Sequence, residues 1–79
     1  MKSTDAIREI MKKEGVTLAE LSRRTGKSRQ ATYGRLTQDS ISISLIQELA
    51  KAMGYKIVLM SSDEEIRDGW YEIDDNRKE

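Results

Sequence analysis

A pair of short helical segments joined at a glycine, in residues 17–36, constrains the fold more than any other feature of the 79-residue sequence. Thr17 followed by Glu20 is a capping box and predicts the start of a helix. Gly26 predicts its end, because glycine adopts the left-handed conformation that closes a helix. Ser28 then predicts the start of the next helix after a very short turn. Helices this short are not stable alone, so the pair requires other helices as a platform.

Helices are predicted on both sides of this pair. The first begins at Ser3 or Thr4 and ends before Gly15, and the last begins at Ser42 or Ser44. Apolar residues at helical spacing form the inner faces of these two helices: Ala6, Ile7, Ile10, Met11, Leu45, Ile46, Leu49, Ala50 and Met53. We therefore expect a mainly α fold, with a compact domain of four to five helices over residues 1–54.

The pattern changes after the last helix. Residues 55–60 are apolar and β-branched and predict a strand, and residues 70–73 predict a second strand that pairs back on the first. We expect residues 55–73 to form a C-terminal β-strand or hairpin that serves as a dimerisation element. Residues 74–79 are expected to be a frayed acidic tail.

Charge is segregated along the chain although its net value is zero. Residues 1–56 contain 11 basic and 6 acidic residues, whereas residues 57–79 contain 3 basic and 8 acidic residues. A basic body with an acidic end is typical of a module whose first part binds nucleic acid. Such segregation also arises by chance in short chains, so the charge alone does not decide the function.

Composition excludes several classes of function. The sequence contains no cysteine and no histidine, which removes the usual zinc-finger ligands, the cysteine nucleophile and the histidine general base. We expect no enzymatic activity, no metal site and no cofactor. No apolar run approaches the roughly 20 residues of a membrane span, and no signal-peptide pattern opens the chain. We therefore expect a cytoplasmic protein that does not bind a membrane.

The third predicted helix, which begins near Ser28, is the candidate for reading DNA. In a helix-turn-helix the second helix of the motif, here the third helix of the chain, is the one that enters the major groove. Arg29 and Gln30 lie at its start, and these side chains bind guanine and adenine edges, respectively, through two hydrogen bonds. Tyr33 and Gly34 follow one turn later, where tyrosine contacts DNA and glycine permits close approach. We predict that these four residues read bases.

Helix N-termini and nearby cations predict phosphate contacts. The residues predicted to contact phosphate are Thr17, Lys27, Ser28 and Arg35. Arg23 and Arg24 are interpreted instead as a solvated helix face.

The run from Leu21 to Leu36, LSRRTGKSRQATYGRL, resembles the Xre or lambda-repressor-like helix-turn-helix family. Residues 49–55 resemble the ending of that family's fourth helix, and a following strand such as residues 56–60 is similar to a subgroup of small phage-type regulators. The resemblance implies a compact helical domain that binds operator DNA, is usually dimeric and often represses. The chain departs from the family at Leu18, where a phosphate-binding glutamine is frequent, at Lys27, where an apolar residue is frequent, and at the polar Thr32.

The sequence leaves two functions open. In the first, a homodimer held together by Ile57, Leu59 and Trp70 binds double-stranded DNA at a palindromic operator and acts as a repressor. In the second, the same fold is a protein-interaction module, either an antitoxin or a phage inhibitor of a host protein, which works through Trp70 and the acidic C-terminal segment.

Overall fold

The computed structural model describes residues 1–76, which contain four α-helices. The helices are α1 (Ser3–Glu14), α2 (Leu18–Thr25), α3 (Arg29–Leu36) and α4 (Ile43–Ala52). The predicted mainly helical, helix-turn-helix architecture is confirmed over this part of the chain. The α1 and α2 helices each pack against both α3 and α4. This arrangement gives the two-turn helices α2 and α3 the platform that they lack alone.

The core lies between the four helices and includes most of the residues predicted for the inner faces of α1 and α4. Ile7 of α1, Leu21 of α2, Leu36 of α3 and Leu49 of α4 are all buried. Val16, in the short connection after α1, closes one side of the core. A chain of this size buries a modest core, so each of these side chains accounts for a large share of the stability.

Three helices begin at the predicted capping residues. The hydroxyl oxygens of Thr17, Ser28 and Ser42 each accept a hydrogen bond from the backbone N–H three residues later, at 3.1, 3.1 and 3.2 Å. Only half of the predicted capping box forms at α2, because the Glu20 carboxylate pairs with Arg23 and Arg24. Short polar side chains at these positions therefore set the starts of α2, α3 and α4.

The predicted cap of α1 is wrong. The residue at its N-cap is Lys2, whose side chain makes no capping hydrogen bond, and Ser3 and Thr4 are buried in the first turn. Both hydroxyl groups bind distant partners: Ser3 donates to Asp75 at 2.9 Å, and Thr4 donates to the backbone carbonyl of Gln38 at 2.8 Å. The first turn of α1 is thus fixed by tertiary contacts and not by a local cap.

The predicted C-terminal β-strand or hairpin of residues 55–73 is also wrong. Within residues 1–76 the structure contains no strand, and the backbone of residues 56–60 makes no hydrogen bond to any described group. Leu59 is completely exposed and Val58 is 59% exposed. A β-branched segment forms a strand only beside another strand, and residues 70–73, its expected partner, lie elsewhere.

Residues 69–76, which we call the C-terminal strap, run antiparallel to α1. The strap begins near the end of α1, where a Cβ on Gly69 would lie 3.1 Å from Lys13 Nζ, and it reaches the start of α1 at Asp75. Tyr71 packs against the core, with its ring centroid 6.4 Å from that of Tyr55. The C-terminal residues therefore pack against α1 as the strap and do not form the predicted hairpin.

The acidic end of the chain is therefore not frayed where the structure describes it. The Met1 amino group donates to the Glu72 carbonyl at 3.2 Å, and the Asp74 N–H donates to the Met1 carbonyl at 2.8 Å. Residues 77–79 of the predicted tail lie outside the described residues. None of the helices described in residues 1–76 is long and apolar enough to cross a membrane.

Candidate nucleic-acid interface

The turn between α2 and α3 fixes the start of α3 relative to α2. Gly26 has φ of 69°, a left-handed conformation that other residues adopt only with strain. Its N–H donates to the Arg23 carbonyl at 3.2 Å, and the Lys27 N–H donates to the Ser22 carbonyl at 3.0 Å. These bonds satisfy the last carbonyls of α2. Ser28 caps α3 directly after Lys27, so the turn between the two helices is short.

The outward face of α3 carries the four residues that were predicted to read bases. Arg29, Gln30, Tyr33 and Gly34 are all exposed, and Tyr33 retains 61% of its accessible surface. Successive residues of a helix are rotated by about 100°, so residues at these positions share one side of the cylinder. The structure therefore brings these four side-chain positions together on one accessible surface.

Gly34 lies in the middle of α3 without any structural reason for being glycine. A Cβ at this position would meet no atom within 4 Å, and the backbone is not in the left-handed region. Glycine inside a helix costs about 1 kcal/mol relative to alanine. No contact within the described chain offsets this cost.

The first turns of α2 and α3 offer backbone donors to an anion. At α3, Ser28 satisfies the N–H of Ala31, and the N–H groups of Arg29 and Gln30 have no acceptor within residues 1–76. At α2, Thr17 likewise satisfies only the N–H of Glu20. Free N–H groups and the positive end of the helix dipole together favour phosphate.

The sequence model described as helix-turn-helix matches residues 7–59, which is more than half of the chain. The chain belongs to the helix-turn-helix family of the Xre and lambda-repressor type. This is a family of DNA-binding regulators and is generally non-enzymatic. A search of curated proteins and a search of solved structures each gave no match.

The helix-turn-helix match includes the whole of α2, the Gly26 turn and α3, together with the exposed segment up to Leu59. It does not include the strap. The family relationship therefore accounts for the candidate DNA-reading surface, whereas the contacts between the strap and α1 are a separate feature of this chain.

The cations beside the helix-turn-helix differ in their surroundings. Lys27 is exposed next to the start of α3. Arg35 is half-buried, and its Nη1 atom is enclosed without a hydrogen-bond acceptor in the described residues. Arg24 donates to the backbone carbonyl of Ala52 at 3.1 Å, which gives it a role in packing α2 against α4. Arg23 remains on the surface, paired only with Glu20.

Two departures from the family pattern have structural explanations. Leu18, where a glutamine is frequent, is half-buried and packs against the core. Thr32 is buried on the inner face of α3, and its hydroxyl donates to the Ser28 carbonyl at 3.0 Å, so the polar group is satisfied within the helix. Lys27, in contrast, leaves the turn exposed to solvent and adds a positive charge beside the reading helix.

Sequence reasoning missed the residues that hold the C-terminal end of α3. The guanidinium group of Arg8 donates to the Leu36 carbonyl, and Thr4 donates to the Gln38 carbonyl. Thr37, the C-cap residue of α3, donates a hydrogen bond from its side-chain hydroxyl to the Gly34 carbonyl at 3.0 Å. The residues of α1 are separated by 28 and 34 positions from their partners, so no local pattern could have identified them.

The remaining chemistry of the described chain is limited. No group of three or more acidic, histidine or cysteine side chains within residues 1–76 is placed to hold a metal ion. The candidate functional surface is therefore the outward face of α3 together with the N-termini of α2 and α3.

Proposed function

We propose that the protein is a sequence-specific transcriptional regulator that binds double-stranded DNA through α3. The observation that carries this proposal is the outward face of α3, on which Arg29 and Gln30 are exposed beside free backbone N–H groups. The major groove of B-DNA is about 12 Å wide and accepts one α-helix. An eight-residue helix with its first turn outward suits that groove.

Each residue on this face has a distinct proposed role. Arg29 donates two hydrogen bonds to O6 and N7 of a guanine, and Gln30 makes a paired contact with N6 and N7 of an adenine. Tyr33 contacts a thymine methyl group or a phosphate one turn further on. Gly34 lets the helix axis approach the floor of the groove, consistent with the open space around its Cα.

Phosphate contacts supply most of the affinity in this proposal. Thr17 and Ser28 lie at the starts of α2 and α3, where each N-terminus attracts one phosphate, and Lys27 adds a nearby cation. Arg35 is proposed to reach a phosphate through the guanidinium nitrogens other than the enclosed Nη1. Binding then weakens steeply as the salt concentration rises.

The proposed active form is a homodimer that represses by occupying a palindromic operator. Two copies of α3 would enter successive major grooves roughly 34 Å apart. Ile57, Leu59 and Trp70 are proposed dimer contacts and are 38%, 100% and 47% exposed. Ile57 and Leu59 lie in residues 56–60, whose backbone makes no hydrogen bond to any described group. Apolar residues on an extended segment with open edges are suited to pairing with the same segment of a second copy. The proposed location is the cytoplasm.

A protein-interaction module is the second candidate function. Trp70 is 47% exposed in an acidic stretch, and the Arg67 guanidinium lies 5.2 Å from the centroid of its ring. Exposed tryptophan and arginine side chains are frequent centres of protein interfaces. In this alternative the chain acts as an antitoxin or as an inhibitor of a host protein, and substitution of Trp70 abolishes activity while substitution of Arg29 does not.

Selection from random duplex DNA tests the main proposal. Wild-type protein, an Arg29→Ala/Gln30→Ala variant and an Arg23→Ala/Gln47→Ala variant are incubated with the library at two salt concentrations. The second variant removes the same two side-chain types from exposed positions on α2 and α4, outside the proposed reading face. We expect the wild type and this control to recover one palindromic motif, and the first variant to lose it.

Three outcomes would contradict parts of this proposal. If the wild type retains no duplex even at low salt, DNA binding is excluded and the interaction of Trp70 with a protein becomes the function to pursue. If both double variants recover the motif, the protein binds DNA but Arg29 and Gln30 do not read it. A motif without two-fold symmetry would contradict the homodimer.

A further inference from the structure

The contact between the strap and α1 joins the two ends of the described chain. The Asp75 carboxylate accepts two hydrogen bonds from Ser3, one from the backbone N–H at 2.7 Å and one from the hydroxyl group at 2.9 Å. These groups are 72 residues apart in sequence. Ser3 itself is fully buried, so the bonds are shielded from solvent on that side.

Asp75 takes the place of a helix cap for α1. The N-cap residue, Lys2, makes no side-chain capping bond, whereas the other three helices have a serine or threonine cap. A carboxylate at the N-terminus of a helix both accepts from a free N–H group and interacts favourably with the helix dipole. The strap therefore supplies from outside the cap that the sequence before α1 lacks.

The turn of α1 held by Asp75 is also the turn that holds the end of α3. Thr4, adjacent to Ser3, is buried and donates to the Gln38 carbonyl, and Arg8, one turn further, donates to the Leu36 carbonyl. At the end of α3 the backbone N–H groups of Thr37 and Gln38 satisfy the Tyr33 and Arg35 carbonyls, so the contact from α1 serves the last carbonyl of the helix. The first two turns of α1 thus bind the strap on one side and, on the other, the last carbonyl of α3 and the segment directly after it.

We propose that Asp75 is a positioning residue for DNA reading: by capping α1 it fixes the turn that carries Thr4, and thereby the C-terminal end of α3. The effect on DNA binding rests on the proposed function, whereas the capping of α1 by Asp75 does not depend on DNA. When the cap is removed, α3 samples more orientations. Base contacts, which require a fixed geometry, then weaken more than phosphate contacts, which tolerate small displacements.

The matched pair Asp75→Ala and Asp74→Ala isolates this effect, because alanine removes the hydrogen-bond acceptor, whereas asparagine would keep one. Both variants remove one negative charge, and so both reduce repulsion of DNA equally. Asp74 is exposed, and within residues 1–76 its side chain accepts only a local hydrogen bond from the Asn76 N–H at 3.1 Å. A Ser3→Ala variant removes the hydroxyl donor from the other side of the contact and leaves every charge in place.

Amide hydrogen exchange without DNA is the first measurement. We expect the amides of Ala6 in α1 and Gln38 after α3 to exchange roughly 5-fold faster in Asp75→Ala than in Asp74→Ala, with a smaller increase in Ser3→Ala. Equal rates at Ala6 in the two aspartate variants would overturn the cap. Faster exchange at Ala6 with unchanged exchange at Gln38 would overturn the link to α3.

The second measurement compares binding to the selected duplex and to a scrambled duplex. We expect Asp75→Ala to bind the selected duplex about 3- to 10-fold more weakly than Asp74→Ala, with equal binding to the scrambled duplex and an equal salt slope. A variant that was merely less folded would lose both affinities by the same factor, and that result would overturn the positioning role. If the wild type selects no duplex, the proposed function fails, but the exchange experiment still decides whether Asp75 caps α1.

Discussion

The guanidinium group of Arg24 donates a hydrogen bond to the backbone carbonyl of Ala52 at 3.1 Å, which joins the end of α2 to the end of α4. The positive charge lies at the C-terminus of α4, where the helix dipole favours a cation. Arg24 and the neighbouring Arg23 both pair with Glu20, but only Arg24 makes this contact with α4.

Substitution of these two arginines by alanine separates the packing contact from the surface ion pair. We expect Arg24→Ala to lower the free energy of unfolding by about 1 kcal/mol more than Arg23→Ala, because an ion pair on the surface contributes little and a carbonyl at a helix end loses its donor. Urea denaturation of both variants measures the difference. Equal stabilities would show that the contact with Ala52 does not hold α4.

A comparison of one buried and one exposed leucine tests the observed core. Leu49 is completely buried, whereas Leu59 is completely exposed. We expect Leu49→Ala to cost about 2–5 kcal/mol, which is enough to unfold much of so small a domain. Leu59→Ala, measured at low protein concentration, is expected to change the unfolding midpoint very little. Circular dichroism during thermal unfolding distinguishes the two, and a large loss for Leu59→Ala would contradict the observed exposure.

Helix starts and inner faces were predictable from the sequence because they follow local rules. The capping hydroxyls of Thr17, Ser28 and Ser42, and the glycine at position 26, act on backbone groups only a few residues away. The outward face of α3 follows from the same helical period. These local signals were enough to define the helix-turn-helix and its exposed surface.

The interactions that the sequence did not reveal join residues far apart in the chain. Ser3 has the properties of a cap, yet its hydroxyl binds Asp75, and Arg8 binds Leu36 at the end of α3. Residues 56–60 have strand composition, but strand formation depends on a neighbour that this chain does not place beside them. Local propensity therefore gave the wrong conformation wherever tertiary contacts decide it.

Gly34→Ala is expected to have opposite effects on stability and on DNA binding. Because a Cβ meets nothing within 4 Å, alanine should raise the free energy of unfolding by up to about 1 kcal/mol. In the proposed complex the same methyl group faces the DNA and should weaken binding to the selected duplex several-fold. Urea denaturation and fluorescence anisotropy measure the two effects. Higher stability with unchanged affinity would show that α3 does not approach DNA closely at this position.

Tyr55 links the end of α4 to α1 in a pH-dependent manner. Partial burial, together with the hydrogen bond that its hydroxyl donates to Glu14 at 3.0 Å, raises the pKa of Tyr55 above its ordinary value of 10.0. The unfolded chain therefore loses this proton at lower pH than the folded chain, so the stabilisation is present below pH 10.0 and is lost as the pH rises through the folded-state pKa.

A Tyr55→Phe variant measures that contribution directly. We expect the wild type to melt at a higher temperature than the variant at pH 8, and we expect the gap to shrink by pH 11. A gap that stays constant over this range would show that the hydrogen bond to Glu14 does not stabilise the fold.

The salt dependence of DNA binding tests the proposed contact between Lys27 and a phosphate. Each phosphate neutralised by a cation adds about 0.9 to the slope of log affinity against log salt concentration. We expect Lys27→Ala to reduce that slope by about 0.9 and to weaken binding similarly for the selected and scrambled duplexes, since a phosphate contact carries no sequence information. Lys51→Ala, which removes an exposed lysine from α4, is the control and should leave the slope unchanged. If both lysines change the slope equally, Lys27 contributes only to the general positive field. A loss of affinity confined to the selected duplex would instead assign Lys27 to base reading.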